Sequence, residues 1–530
     1  MQAGLFISRD NGRISETIDT GWLAAQYAHL AVVHECDDFF SEADYADILK
    51  IVSDRQLDSV IFAGNSPKHF ERVEFGSRMI EKLIDAGLNE NAIAYANIRE
   101  QVAYPHRGTR EAATQKAKLL IDVALARLEN SHQVKNISVS PHRSVALIGV
   151  TAGSVVAANQ LIQKGYDVYI IDKKNTLSHE LENDAVRPFW AAIRSAKKMH
   201  YYPGTDVRDV AGWCGDYSIT LLHPDGSEEL CTCGGILLSV NGHHEWIKDL
   251  RPILQLDVDD TGLLKSREKA LISGQTKDEG VWFIPYVEGA GFDHEMSSAS
   301  MAVLSLTTIL DQNAIEHPVH VSEVDPAVCG GCGTCVKTCA FAAASLDVGK
   351  KLSSVDPRRC KGCGNCVVSC PTGARDLINY PEKYIFKAID ILSQGIPGDT
   401  NPRILAILCN GCGYPASDAT GELAVDEEQY RYPTNILPLR VECGGNVDTQ
   451  YILMALQRGF DGVAVTICRD GHCHHIVGNV DMERRLSLFR EVLRSRAIQP
   501  ERMRIIKVSP HEGEIFSQEI NTFVQDIKSL

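Results

Sequence analysis

The stretch Asp325–Cys339, DPAVCGGCGTCVKTC, recurs 31 residues later as Asp356–Cys370, DPRRCKGCGNCVVSC, with Pro371 directly after it. Each copy spaces its cysteines C-x2-C-x2-C-x3-C, and the duplication makes the reading specific. Three close thiolates can wrap one face of a cubane cluster, while the fourth is expected to start a short helix that points at the other cluster. Cys329, Cys332, Cys335 and Cys370 are therefore assigned to one 4Fe–4S cluster, and Cys360, Cys363, Cys366 and Cys339 to the second. Gly330, Gly331, Gly333, Gly362 and Gly364 let backbone N–H groups turn toward inorganic sulfur. Such hydrogen bonds tune a reduction potential. Zinc also takes four-cysteine sites, but two CxxC pairs usually suffice for it, and the eight-cysteine double array favours iron. Ala340 stands where proline commonly follows the fourth cysteine, which loosens a turn and removes no ligand.

This spacing is that of the two-cluster bacterial ferredoxins. The chain around it has 530 residues, enough for about three to five domains. With 44% hydrophobic and 23% charged residues it is of ordinary globular composition, neither disordered nor fibrous. A net charge of −16 speaks against a nucleic-acid partner, which calls for a basic footprint. The start, MQAGLFISRDNGRISE, turns polar after a few residues and does not read as a signal peptide. Ser144–Gln163 carries no charge, but its Ser, Thr, Asn and Gln residues would be penalised in a bilayer. The chain is expected to be cytoplasmic, without direct membrane insertion. Seventeen cysteines, eight of them between Cys329 and Cys370 and five between Cys409 and Cys473, then mean metal or redox chemistry rather than disulfides.

The fold class read from these patterns is multidomain α/β. Residues 1–135 form an N-terminal α/β domain, with strands expected near Leu30–Val33 and Ser59–Ala63 and helices near Tyr45–Val52 and Ala112–Leu128. Polar Ser131–Arg143 reads as a linker. Residues 143–315 open with the strand VALIG, the turn VTAGS, the helix VVAANQLIQ and the strand DVYIID, a Rossmann-like strand–turn–helix–strand unit. The α+β ferredoxin-type domain occupies 320–380, and Gly395–Pro402 reads as a second linker. Residues 402–530 form a C-terminal α/β domain, with strands RILAIL and GVAVTI and helices near Thr449–Gln457 and Arg484–Arg494.

That last domain carries Cys409-Asn410-Gly411-Cys412, then Cys443, Cys468 and Cys473. The strand AILC ends in Cys409 and VAVTIC in Cys468, so these thiols can gather at the carboxyl ends of parallel strands. CNGCGYPASD, LPLRVECGGNVD, MALQRGFDGVAVTICRDGHCHHIVGN and RAIQPERMRIIKVSPHEGEIF closely resemble the delta-subunit family of methyl-viologen-reducing hydrogenase. The resemblance implies a 2Fe–2S module with Cys409, Cys412, Cys443, Cys468 and Cys473 as its cysteines. Five thiols exceed four ligand places, so one is a neighbour or a spare, and the sequence does not say which. His472, His474 and His475 are expected to be solvated or to contact a partner, with Rieske-like ligation as the alternative.

Upstream, ALIGVTAGSVVAANQLIQKGYDVYIIDKK, GGILLSVNG and GVWFIPYVEGAGFDHEMSSASMA resemble the flavin domain of the A-type subunit of heterodisulfide reductase. They equally resemble the B-type subunit of the quinone-interacting membrane-bound oxidoreductase. SVIFAGNSPKHFE and AYANIREQVAYPH of the N-terminal domain match the same pattern, so the resemblance covers nearly the whole chain. The fingerprint G-x-G-x-x-G reads here Gly149-Val150-Thr151-Ala152-Gly153-Ser154, with side chains at Thr151 and Ser154 where the family has none. Asp172 survives as the acid that would hold the ribose, whereas Pro285 of Ile284-Pro285 has no N–H to donate. In one reading FAD still binds at Gly149, Thr151, Ser154 and Asp172, helped by the helix N-terminus. In the other, which we favour, the unit is a vestigial scaffold. The N-terminal turn ISRDNG lacks the cysteine often found there, and Cys36, Cys214, Cys231 and Cys233 are expected to be structural.

The resemblance implies an electron-relay subunit of an anaerobic oxidoreductase complex, holding two 4Fe–4S clusters and one 2Fe–2S cluster. Its implied partners are B-type or C-type subunits of heterodisulfide reductase, a subunit of quinone-oxidoreductase type, and a hydrogenase or formate dehydrogenase as electron input. A membrane link would run through a partner subunit. The alternative is a FAD-containing subunit that bifurcates or confurcates electron pairs.

Overall fold

The apolar runs at both ends of the chain become strands buried on both faces, which explains why they read as continuous hydrophobic stretches rather than alternating ones. The structure, a computed structural model, describes all residues except 1, 175–176, 178–183, 241–243, 255, 257, 259–260, 267–272, 277, 286–290 and 320. It divides into two compact units, Met1–Lys135 together with residues 320–530, and Asn136–Val319.

The first unit contains two parallel four-stranded sheets of the same topology. In the N-terminal sheet the order is Val32–Cys36, Ala3–Ser8, Ser59–Gly64, Ile93–Asn97. In the C-terminal sheet it is Ile436–Val441, Ile404–Cys409, Gly462–Cys468, Met503–Val508. In each, the second strand in chain order lies on one edge and the third returns past the first, which creates a switch point at the carboxyl ends of strands one and three. In the C-terminal sheet those two strands end in Cys409 and Cys468, and the edge strand leads to Cys443 two residues on. In the N-terminal sheet the first and third strands end in Ser8 and Gly64. The two sheets belong to one continuous apolar core, to which helices Arg110–Asn130 and Glu382–Leu392 contribute by packing on each other.

The ferredoxin-type segment between them has near twofold internal symmetry. It consists of the hairpin Ala344–Asp347/Leu352–Val355, the antiparallel pair Ser322–Val324/Arg375–Leu377, and the short helices Thr334–Thr338 and Asn365–Val368. Gly333 (φ 73°) and Gly364 (φ 79°) cap the helices in the left-handed region, which a side chain resists. The sequence expectation that the fourth cysteine starts a helix is corrected: Cys339 caps the C-terminus of the first helix and Cys370 follows the second. The helix is set by the left-handed glycine between the second and third cysteines.

The second unit has a five-stranded parallel sheet, in the order Val281–Phe283, Gly235–Leu238, Ser144–Ile148, Asp167–Asp172, Met199–Pro203. A three-stranded antiparallel sheet, Asp206–Trp213, Asp216–Leu222 and Glu228–Cys233, accompanies it. Helix Ala152–Gln163 packs against Phe292–Leu310. The polar stretch 131–143, read as a linker, contains the strand Asn136–Val139, which pairs antiparallel with Ile315–Pro318. Its partner lies far along the chain, so no local signal marks it.

Candidate metal centres

Both copies of the repeat bend their backbones in the same way. Gly331 and Gly333 in the first, Gly362 and Gly364 in the second, all take positive φ, at positions 31 residues apart. Successive N–H groups turned this way line an anion-binding concavity, which suits a cluster carrying negative charge. Cys339 and Cys360 lie close enough to Cys363 and Cys366 for their charge to add to the upward push that burial gives those two thiols. Cys335 Sγ stands 3.2 Å from Ser353 Oγ, and Thr334 and Thr372 offer hydroxyls to Cys332 (3.3 Å) and Cys370 (3.6 Å).

The C-terminal thiols gather at the switch point. Cys409 and Cys468 Sγ are 3.9 Å apart, and the Gly413 N–H donates to Cys409 Sγ (3.3 Å). His474 Nδ1 lies 3.9 Å from Cys412 Sγ and 3.8 Å from Cys468 Sγ, and these three side chains are spaced to share a metal ion. Cys443 and Cys473 face each other across Gly478, where an added methyl would overlap Cys443 Sγ and stand 3.4 Å from Cys473 Sγ. Five thiols and one imidazole thus converge. Of the three histidines, expected to be solvated or to contact a partner with ligation as the alternative, His474 is half-buried with its ring over Gly411 and beside the thiols, while His472 is exposed. Arg440 clamps the CNGC turn through two bonds to Asn410 Oδ1 (3.0 and 2.7 Å). Arg485 pins the turn after Cys443 by donating to the Gly445 and Val447 carbonyls.

The two cysteine sites abut. Asn365, between Cys363 and Cys366, donates to Asp481 (3.0 Å) and packs on Gly445, while Asn446 packs on Gly364. A methyl at Gly364 would stand 2.5 Å from Asn446 Oδ1. Asn365 and Asn446 are almost fully buried, and Asn365 Oδ1 and both amide atoms of Asn446 lack a protein partner. Buried amides normally find partners, so the orphan Asn446 Nδ2, a donor beside a cysteine cradle, fits a cluster that presents sulfur to it. Nothing in the sequence pairs Asn446 with Gly364, because the approach is tertiary.

The residues of the nucleotide fingerprint behave differently. Gly149 (φ 98°) makes the tight turn, and any Cβ there would collide with the Ser239 carbonyl. Thr151 and Ser154 form a capping box, with Thr151 N–H donating to Ser154 Oγ (2.9 Å) and Ser154 N–H to Thr151 Oγ1 (3.4 Å). The Gly153 N–H is taken by Glu295 Oε2 (3.0 Å), a carboxylate at the spot a pyrophosphate would use. Asp172 Oδ2 accepts from Tyr201 Oη (2.9 Å) and the Leu177 N–H (3.1 Å). These residues do not fit a dinucleotide bound in the usual manner. Residues 241–242 of GGILLSVNG and 286–290 of the following stretch, parts of the flavin-domain resemblance, lie outside the described residues. Cys36, Cys214, Cys231 and Cys233 are buried, and burial pushes Cys214 and Cys231 up to about 12.

A double cysteine-rich cradle beside a further thiol cluster defines an iron–sulfur protein. Residues 328–374 match the 4Fe–4S dicluster domain model, and 404–530 match the methyl-viologen-reducing hydrogenase delta-subunit model. The D-type iron–sulfur subunit of the F420-non-reducing hydrogenase of Archaeoglobus profundus is 38% identical over 129 residues, 24% of this chain and 90% of that one. The corresponding D-type vhc subunit of Methanococcus voltae is 33% identical over 129 residues, covering 86% of it. Through residues 404–530 the chain belongs to this hydrogenase delta-subunit family. It is also homologous to the A-type subunit of the ferredoxin/F420H2-dependent CoB–CoM heterodisulfide reductase of Methanosarcina acetivorans, 37% identical over 235 residues, or 44% of this chain. The chain spans only 28% of the length of that relative. None of the described helices is long and apolar enough to cross a membrane.

Proposed function

We propose that the chain is an iron–sulfur relay subunit of an anaerobic oxidoreductase complex, passing single electrons between partner subunits. Two 4Fe–4S clusters sit on Cys329, Cys332, Cys335 and Cys370 and on Cys360, Cys363, Cys366 and Cys339. A 2Fe–2S cluster takes four of the five thiols Cys409, Cys412, Cys443, Cys468 and Cys473. When bound, these groups supply one-electron redox chemistry. The chain's own residues hold them and turn amides toward them, and no proton-transfer group is needed. The supporting observation is the abutment of the two cysteine sites through Asn365, Gly364, Gly445 and Asn446. It makes a short internal path between the C-terminal thiols and the Cys360–Cys366 cradle. By analogy with the relatives' names, a hydrogenase type of donor and a heterodisulfide reductase type of acceptor are the expected partners; a formate dehydrogenase donor and a quinone-oxidoreductase acceptor are the further partners the sequence resemblance implies.

The test is anaerobic purification with iron analysis and paramagnetic resonance after dithionite. About ten irons per chain are expected from two cubanes and one binuclear cluster. Cys363→Ser should remove one cubane signal, leave the C-terminal module folded and stop partner-to-partner electron flow; unchanged flow would sink the linear relay. The FAD-containing alternative finds little support in the occupied fingerprint of the second unit. Acid precipitation that releases flavin into the supernatant would reinstate it.

A further inference from the structure

Arg375 opens the strand Arg375–Leu377, five residues after Cys370, and is only 4% exposed. One guanidinium nitrogen, Nη2, donates to Ser353 Oγ (2.6 Å) and reaches the Ser354 carbonyl (3.4 Å). Nε and Nη1 are buried and have no protein partner. Among the described residues no carboxylate oxygen forms an ion pair with it. An arginine cannot shed its proton to escape such a position. Removing the partner of a buried charge ordinarily destabilises a protein strongly, so a charge held this way calls for a counter-charge.

The surroundings say where that counter-charge lies. Ser353 Oγ, held by Arg375, stands 3.2 Å from Cys335 Sγ. The guanidinium is also within electrostatic reach of Cys366, whose thiol is pushed up on balance by burial. Cys335 and Cys366 are the third cysteines of the two repeats and belong to different cradles. The duplication itself marks the residue as special, because the position 31 residues earlier, which should hold its counterpart, is the buried Ala344. One repeat has a small apolar side chain here and the other a full positive charge.

We propose that Arg375 is a shared counter-ion of the two four-iron clusters, and that it makes both easier to reduce. The inference rests on the iron–sulfur reading above. Each reduction adds a negative charge to a cluster, and a fixed buried cation stabilises the charged product more than the reactant. The guanidinium reaches the Cys335 cluster through the Ser353 hydroxyl and acts on the Cys366 cluster through space.

The experiment compares wild-type full-length chain with Arg375→Met, Arg375→Gln and Arg375→Lys. All are purified anaerobically, assayed for iron and titrated reductively while the paramagnetic signals are followed. With iron content at the wild-type level, Met and Gln should move both cubane potentials to more negative values. Lys should fall between them and wild type, and the C-terminal cluster should stay in place. Fully loaded Met or Gln variants with unmoved cubane potentials overturn the proposal, as does a Lys variant that shifts as far as Met. If Met and Gln fail to hold their cubanes while Lys holds them, the requirement for charge supports it; if Lys loses them too, the side chain acts by shape and the proposal falls. Wild-type protein that binds no iron would refute the relay reading instead, before Arg375 is in question.

Discussion

Gly478 illustrates how much of the C-terminal site depends on a missing side chain. A methyl group there would overlap Cys443 Sγ, so Gly478→Ala should push that thiol out of the cluster of five. If Cys443 is a ligand, the variant loses about two of about ten irons and the binuclear signal, with both cubane signals kept. Retention of all signals would identify Cys443 as the spare thiol. A second residue-scale test concerns the buried carboxylates Glu100 and Asp418. Asp418 accepts from Ser66 Oγ, Asn97 Nδ2 (2.8 Å) and Gln101 Nε2 (3.2 Å). Burial pushes Glu100 up from 4.5 to about 7, partly offset by Arg99, and burial with the charge of Glu100 pushes Asp418 well above the carboxylate range. The folded state thus keeps protons that the unfolded chain has released. Stability should fall as pH rises from about 4.5 to about 7. Asp418→Asn, which preserves the shape, should flatten that slope and gain about 1–2 kcal/mol at pH 8 in urea unfolding. The eight repeat cysteines were legible in sequence because their spacing is local. Asn446 and Arg375 were not, since their roles come from chain segments brought together only by folding, and His474 could be named only as an alternative ligand beside its two neighbouring histidines.

Helix Gly413–Leu423 crosses the turn Arg99–Ala103 at close quarters. This turn is a π-type segment, a form found often at strained or functional places. Any side chain at Gly421 would collide with the Glu100 carbonyl. Gly421→Ala should therefore destabilise the first unit by about 2 kcal/mol or more, read as a lower denaturation midpoint, with cluster signals unchanged under native conditions. On the other side of the same helix Thr420 donates to the Gly513 carbonyl (2.7 Å), so it is wedged between two neighbours. At this scale the sequence was informative wherever burial on both faces produced unbroken apolar runs, as in Ile404–Cys409 and Gly462–Cys468. It was weaker at edges. The strand expected at Leu30–Val33 runs Val32–Cys36, because an edge strand tolerates His34 and Glu35 and so lacks a sharp hydropathy signal.

For the whole molecule, the order of modules along the chain does not give their grouping in space. Residues 1–135 fold with 320–530 into one unit, although 184 intervening residues, Asn136–Val319, form another. The sequence reading of successive modules could not reveal this, since contacts such as Asn97 to Asp418 join positions hundreds of residues apart. The doubled sheet topology was equally hidden, because the N-terminal copy has Ser8 and Gly64 where the C-terminal copy has Cys409 and Cys468. If metal binding resides only in the first unit's cysteine sites, then Cys36→Ala should leave the iron content at about ten per chain. A drop would expose an unforeseen ligand in the N-terminal sheet.

The pairing of Asn136 with Pro318 brings the entry and exit of the intervening unit to the same spot. Such an arrangement makes 136–319 a removable cassette, since a chain that leaves and returns side by side can be rejoined across the gap. A shortened gene that splices residue 135 to residue 321 through a few glycines should yield a smaller, still coloured protein. That would let the wiring of the metal-bearing half be studied apart from its passenger.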